Sequence, residues 1–283
     1  MKKHMAWISL VLLLLLIFAT IVGVNSLYTA DFNESKSIEA QHIRDITVSS
    51  DITDIYLSLS SDHQVHAKII GTASKLSDYD VLLHPEDDQL HIRAVEKNAA
   101  VSSLSLNKSV RLQIELPADK LRNVTVQSKF GSVYAEQPLI ADTFIFKSNL
   151  GGMYLDSYTG QELTANSTLG NIQIMRLEGN ASLTTGSGHI TIEKWKPLTG
   201  HNRVLTNKGN IEIGLTPPSE ALSFLLYSNG IVRTDLDASF ASAPSSLSRI
   251  GMNQITGNLG GAADPEAQLE ISSDTGKIVV NKK

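Results

Sequence analysis

The sequence predicts an all-β protein: a parallel β-helix or β-roll solenoid of about 20-residue coils, with an N-terminal β-rich capping region and one transmembrane helix ahead of it. Two observations carry the solenoid and a third carries the helix. First, residues 124–280 repeat one phrase, apolar-x-apolar-x-Ser/Thr-x-x-Gly-x-apolar-x-apolar. It reads VTVQSKFGSVYA, FIFKSNLGGMYL, LTANSTLGNIQI, ASLTTGSGHITI, NRVLTNKGNIEI and LEISSDTGKIVV. The key glycines are Gly131, Gly151, Gly170, Gly188, Gly209 and Gly276, the first five spaced by 20, 19, 18 and 21 residues. A period near twenty with two short alternating strands per copy marks stacked β architecture.

Second, the copies keep register. At positions −7, −5, +2 and +4 from each key glycine, 23 of 24 slots are apolar, and Asn202 is the exception. Alternation sets these side chains on one face of each strand, with the polar residues between them facing solvent. An antiparallel hairpin meander competes, because x-x-Gly also suits a hairpin turn. Retention of equivalent slots from copy to copy decides for stacked coils. Each glycine then serves either a positive-φ corner or a close approach to the next coil. Position −3 is always a hydroxyl: Ser128, Ser148, Ser167, Thr185, Thr206 and Ser273. Such a side chain can hydrogen-bond the turn backbone and stack on its equivalents, a structural role set against the rival reading of a ligand-binding ladder.

The third observation is residues 5–24, which hold no charge and centre on VLLLLLIF. As a helix they would reach about 30 Å, the hydrocarbon thickness of a bilayer. Residues 1–24 are therefore expected to be an uncleaved signal anchor, since a cleaved signal has a shorter apolar core and Tyr28-Thr29-Ala30 is a poor cleavage site. Lys2 and Lys3 set its orientation. The expected location is the cytoplasmic membrane, single-pass, with the C-terminal domain outside a Gram-positive bacterium.

Residues 25–40 are polar and read as a stalk. Residues 41–117 form the β-rich N-terminal region, with alternating strands at 43–48, 54–59, 64–70, 80–84, 89–95 and 110–116. Residues 97–108 are Ser- and Asn-rich and read as a loop. Residues 118–283 are the repeat solenoid. It is interrupted after Leu215 by Pro217-Pro218, then by a degenerate copy, LSFLLYSNGIV, and by a Ser-, Ala- and Gly-rich excursion over 235–261.

Composition narrows the function. The chain has 283 residues, 42% hydrophobic, 19% charged and 6% aromatic. Cysteine is absent, which excludes disulfides, thiolate metal sites and a lipoprotein-type anchor. Net charge is −5, and −7 without Lys2 and Lys3. Such a domain repels polyanions, so nucleic acid is not an expected partner.

Catalytic chemistry is not legible. Asp62, His63 and His66 suggest a metal site, but residues three apart on a strand point to opposite faces. His84 and His91 flank a hairpin, DVLLHPEDDQLHIRAV, whose Glu86, Asp87 and Asp88 lack a calcium-loop spacing. No acidic pair recurs in register, and no nucleophile elbow, phosphate loop or His-Glu-x-x-His motif occurs. No catalytic residue, metal, cofactor or small-molecule substrate is expected.

LTANSTLGNIQI, LTTGSGHITI and LEISSDTGKIVV resemble the Ser-x-x-Gly-x-Ile-x-Ile repeats of the bacterial putative-adhesin β-strand-repeat family. The apolar N-terminus, the missing cysteines and a β region ending in IELP resemble its LiaG-like members from Firmicutes, encoded near envelope-stress systems. The resemblance spans residues 40–280 and implies a β-helix-like exported domain with an adhesive or envelope-associated role and no established catalytic residues. The expected function is thus non-enzymatic surface binding by a membrane-anchored protein. A cell-wall component or an envelope-stress membrane protein would be its partner, and residues 5–24 its contact with the membrane. Two other classes stay open: a scaffold polymerising end to end, and a glycan-active β-helix enzyme.

Overall fold

The computed structural model describes residues 11–20, 29–51, 53–75, 77–97, 109–118, 121–196, 200–216, 221–236, 253–259 and 267–283. Residues 11–20 are helical and the rest is built of strands. The N-terminal region supplies β1 (Thr29–Glu39), β2 (Asp45–Ser50), β3 (Asp54–Leu59), β4 (Gln64–Ser74), β5 (Tyr79–Glu86), β6 (Gln89–Glu96) and β7 (Ser109–Leu116). The regular repeats supply β8 (Leu121–Ser128), β9 (Val133–Ala135), β10 (Leu139–Ser148), β11 (Met153–Leu169), β12 (Ile172–Ser187), β13 (Ile190–Lys196), β14 (Gly200–Lys208) and β15 (Ile211–Leu215). β16 (Leu222–Ser228), β17 (Val232–Thr234), β18 (Asn253–Leu259), β19 (Ala267–Thr275) and β20 (Ile278–Lys282) follow.

All belong to one 20-stranded sheet that folds back into two facing ladders. The first ladder runs β5-β6-β2-β8-β10-β11-β12-β14-β19-β16-β18. The second runs β1-β4-β7-β3-β9-β11-β12-β13-β15-β20-β17. β11 and β12 pass through both ladders and join them. Interior pairs are parallel, whereas β1, β4, β5 and β18 pair antiparallel at the two ends. The alternating apolar side chains of both ladders meet in a single core.

The expected fold class requires correction. The structure is an all-β, solenoid-like sheet that nearly closes on itself, of mixed rather than wholly parallel pairing. Its N-terminal region is not a separate cap. β2 and β3 make a full coil, with Ile46, Val48, Ser50, Thr53, Ile55 and Leu57 in the repeat's slots, paired in register to β8 and β9. This copy escapes the sequence pattern because Thr53 stands where the phrase has glycine.

The transmembrane helix and the single-pass location also fail. No helix among the described residues is long and apolar enough to cross a membrane. Residues 5–10 and 21–24 of the expected span lie outside the described residues. Thr29–Glu39, polar enough to read as stalk, is strand β1, held by β4 along its whole length.

Coils do not stack in chain order. The first coil, β2–β3, lies between β6–β7 and β8–β9. The last, β19–β20, lies between β14–β15 and β16–β17. At each end the chain overshoots and returns, so the first and last coils in sequence become interior in space, while β1 stays at an edge.

Candidate binding surfaces

The key glycines form one column at a corner of the sheet, and close approach explains them. A Cβ on Gly151, Gly170, Gly188, Gly209 or Gly276 would lie 1.9–2.3 Å from the carbonyl oxygen of the preceding key glycine. Gly131 meets Thr53 O in the same way, at 1.9 Å. Among the six, positive φ adds a second reason at Gly209 and Gly276.

Beside this column run the repeat hydroxyls. Ser167 Oγ donates to Gly151 O at 2.8 Å, Thr185 Oγ1 to Gly170 O at 2.9 Å, Thr206 Oγ1 to Gly188 O at 3.1 Å and Ser273 Oγ to Gly209 O at 2.9 Å. Ser128 Oγ accepts from Gly131 N at 2.8 Å. Ser148 Oγ is buried without a partner among the described residues. All six side chains are buried, and five of the hydroxyls bond turn backbone.

A further column, at the residue after Thr53 and after four of the six key glycines, is invisible to the repeat phrase. Asp54 Oδ1 accepts from Ser132 N (2.8 Å), and Ser132 Oγ accepts from Gly152 N (3.0 Å). Farther along, Asn171 Oδ1 accepts from His189 N, His189 Nδ1 from Asn210 N and Asn210 Oδ1 from Lys277 N, at 2.8–2.9 Å. Asp, Ser, Asn and His share only a short acceptor, which is the one property the position needs.

The opposite corner has its own close contacts. Gly160 and Gly179 would carry a Cβ 2.0 Å from Ala141 O and 2.5 Å from Gly160 O. The Tyr158 hydroxyl lies within 2.7–3.1 Å of the Ala141, Asp142 and Glu162 carbonyls, and Trp195 Nε1 donates to Gly179 O at 2.9 Å. Burial pushes the Tyr158 phenol well above its usual range.

What remains for a partner is the outer surface. Phe130, Leu150 and Leu169, one per coil immediately before the key glycine, are 58%, 47% and 48% exposed and make an apolar ridge. Next to it a groove of about 650 Å³ crosses the same coils, lined by Lys129, Lys147, Asp51, Asn149, Asn166 and Thr168 among others. On the second ladder, Tyr56, Tyr134 and Tyr154 stack with ring centroids 4.8 and 5.0 Å apart. A shallower cleft of about 320 Å³ runs beside Tyr134 and Tyr154, bounded by Glu136, Asp156, Gln173 and Met175.

The sequence's metal candidates do not assemble. His66 Nε2 lies 3.0 Å from Asp62 Oδ1, and its Nδ1 lies 2.7 Å from Ser37 Oγ on β1. The Ser60 hydroxyl and Gln64 N–H, with His66, bring the Asp62 carboxyl down to about 2. His84 and His91 are register partners across the β5–β6 hairpin, whose turn has Asp87 at φ 52°. Among the described residues no group of three His, Cys, Asp or Glu could hold a metal ion.

The Toastrack DUF4097 family model matches residues 43–243, from the start of the first coil through the outermost one. The chain belongs to the Toastrack family. This Toastrack chain is similar to a solved putative cell adhesion protein from Clostridium sporogenes, 15% identical, covering 90% of this chain and 100% of that one, with a TM-score of 0.40. It is also similar to a putative adhesin from Parabacteroides distasonis, 11% identical over 88% and 97% of the two chains, TM-score 0.42. A putative lipid binding protein from the same organism is 12% identical over 89% and 96%, TM-score 0.30. No curated protein matches the chain.

Proposed function

We propose that the chain is a non-enzymatic binding protein that works through the outer face of its sheet, with a component of the bacterial cell wall as its ligand. The observation that carries this reading is the use of the repeat's side chains. The apolar slots fill the core and five of the six −3 hydroxyls bond turn backbone, so the chemistry offered to a partner lies chiefly in outward columns repeated from coil to coil. Open grooves of this kind suit many weak contacts to a repetitive ligand, where avidity rather than one deep pocket supplies affinity. Toastrack membership supports the reading at the level of the family.

Its finer form places the chain among LiaG-like members, acting with an envelope-stress protein, and rests on the missing cysteines and the IELP terminus of the N-terminal β region. The test is cosedimentation of the purified protein with isolated sacculi over a salt series. Saturable pelleting is expected. Absence of pelleting at low and physiological salt rejects the wall as ligand and turns the search to a protein partner by crosslinking in cells. Release of reducing ends from sacculi would overturn the non-enzymatic reading.

A further inference from the structure

The tyrosine stack is closed at one end and open at the other. At the closed end the Arg111 guanidinium carbon sits 5.7 Å from the Tyr56 ring centroid. Tyr134 and Tyr154 follow with interplanar angles of 17° and 7°. Rings so nearly parallel turn the last face of Tyr154 along the stack toward the next coil, where its register partner is Gln173. The Gln173 side chain runs along its own strand, its Nε2 4.0 Å from Met175 Sδ. The Tyr154 ring leans the other way, over Gly152, where an added Cβ would come within 3.0 Å of Cε2. No ring or cation contacts that last face among the described residues.

We propose that the cleft beside this face binds an organic cation, a guanidinium or ammonium group, against Tyr154. The face of a phenol ring is its electronegative side and attracts cations, more strongly where water is partly excluded. Glu136 and Asp156 wall the cleft. Asp156 is paired with Arg176 at 2.5 Å, whereas Glu136 makes no ion pair with a described residue. An anionic ligand would face the Glu136 carboxylate, while a cation meets a π face, that carboxylate and the polarisable Met175 sulfur. The molecule already makes this interaction once, with Arg111 on the other end of the same stack. The net charge of −5 favours approach of cations. The proposal does not depend on the wall being the ligand, because a wall amine and a partner's Arg or Lys present the same chemistry.

The test uses methyl-labelled methionine in the full chain, with the Met175 signal identified from a Met175→Leu variant. N-acetyl-argininamide and tetramethylammonium are titrated against sodium chloride at matched ionic strength. Saturable movement of the Met175 methyl with the organic cations, and not with sodium, is expected. Glu136→Gln should weaken binding by about two- to fivefold, and Tyr154→Ala should abolish it. Gln173→Tyr extends the stack by one ring over the open face, so it should abolish binding while the fold is retained. A Met175 signal indifferent to both organic cations, or a Gln173→Tyr protein that binds as well as the parent, overturns the proposal. Sacculi with N-acetylated amines separate the sources. Lost pelleting relative to untreated sacculi assigns the cation to the wall, and unchanged pelleting alongside a positive titration assigns it to a protein side chain.

Discussion

At the scale of single residues, the hydroxyl column separates side chains that look identical in sequence. Ser167 Oγ donates to a carbonyl of the neighbouring coil, and Ser148 Oγ, one coil away, is buried with no partner among the described residues. A made hydrogen bond of this kind contributes about 1 kcal/mol, whereas a buried hydroxyl without one is a liability. Ser167→Ala should therefore cost about 0.5–1.5 kcal/mol, and Ser148→Ala should be neutral or stabilising. Urea midpoints of the two variants decide this, and equal losses would refute the account. Asp62 supplies a pH signature. Its carboxyl is depressed to about 2, so its contribution to stability is present above the ordinary carboxylate value of 3.8 and is lost as pH falls toward 2. Asp62→Asn should flatten the acid limb of stability across that window, and an unchanged limb would count against the assignment. The hydroxyl and glycine slots were legible in sequence because Ser or Thr fills the first and, Thr53 aside, glycine fills the second. The acceptor column after the glycine was not, because Asp54, Ser132, Asn171, His189 and Asn210 serve it equally.

At the scale of strands and coils, alternation made the strands legible but not their order in space. Every coil presents the same apolar slots at the same register, so any coil fits on any other, and the pattern cannot say which neighbours which. The C-terminal coil shows the consequence. β19 pairs with β14 on one side and β16 on the other, and β20 pairs with β15 and β17. In a solenoid stacked in chain order, removing the last copy trims one end. Here, deleting residues 267–283 withdraws an interior coil and exposes the apolar slots of two others. Nearest-neighbour stacking energy is lost twice. The truncated protein should show a disproportionate loss of cooperative unfolding and proteolytic cleavage reaching into 200–234. Cleavage confined to 221–236 would show that the interior placement is energetically unimportant. At the other end, Arg122 of β8 binds Asp45 of β2 and Asp88 of the β5–β6 turn, tying the out-of-order coil to both neighbours. Arg122 holds the Asp45 carboxyl below its usual range.

At the scale of the whole molecule, the ends decide between a binding surface and a polymer. A parallel stack grows by repeating one translation, and each new coil must offer a parallel strand in register and a corner without a Cβ. Neither end offers a parallel edge on both ladders; of the four terminal strands β17 alone is parallel-paired. The first ladder terminates in antiparallel β5 and β18, and one end of the second terminates in β4 and β1, also antiparallel. The glycine column stops at Thr53 on one side. On the other it stops at Gly230, whose turn is one residue shorter, with Gly230 N donating to Ser228 Oγ at 2.9 Å. An antiparallel edge strand runs against the direction of the coils, so a further copy cannot continue the stack there by the same translation. The chain should therefore sediment as a non-filamentous species of constant mass from micromolar to millimolar concentration, with no lag-phase growth in light scattering. Filaments whose axial repeat matches the strand spacing of about 4.8 Å would overturn this, because they would show the ends to be compatible with stacking. With neither end able to repeat the parallel stack on both ladders, partners are left the lateral faces, where the tyrosine stack, the apolar ridge and the grooves lie.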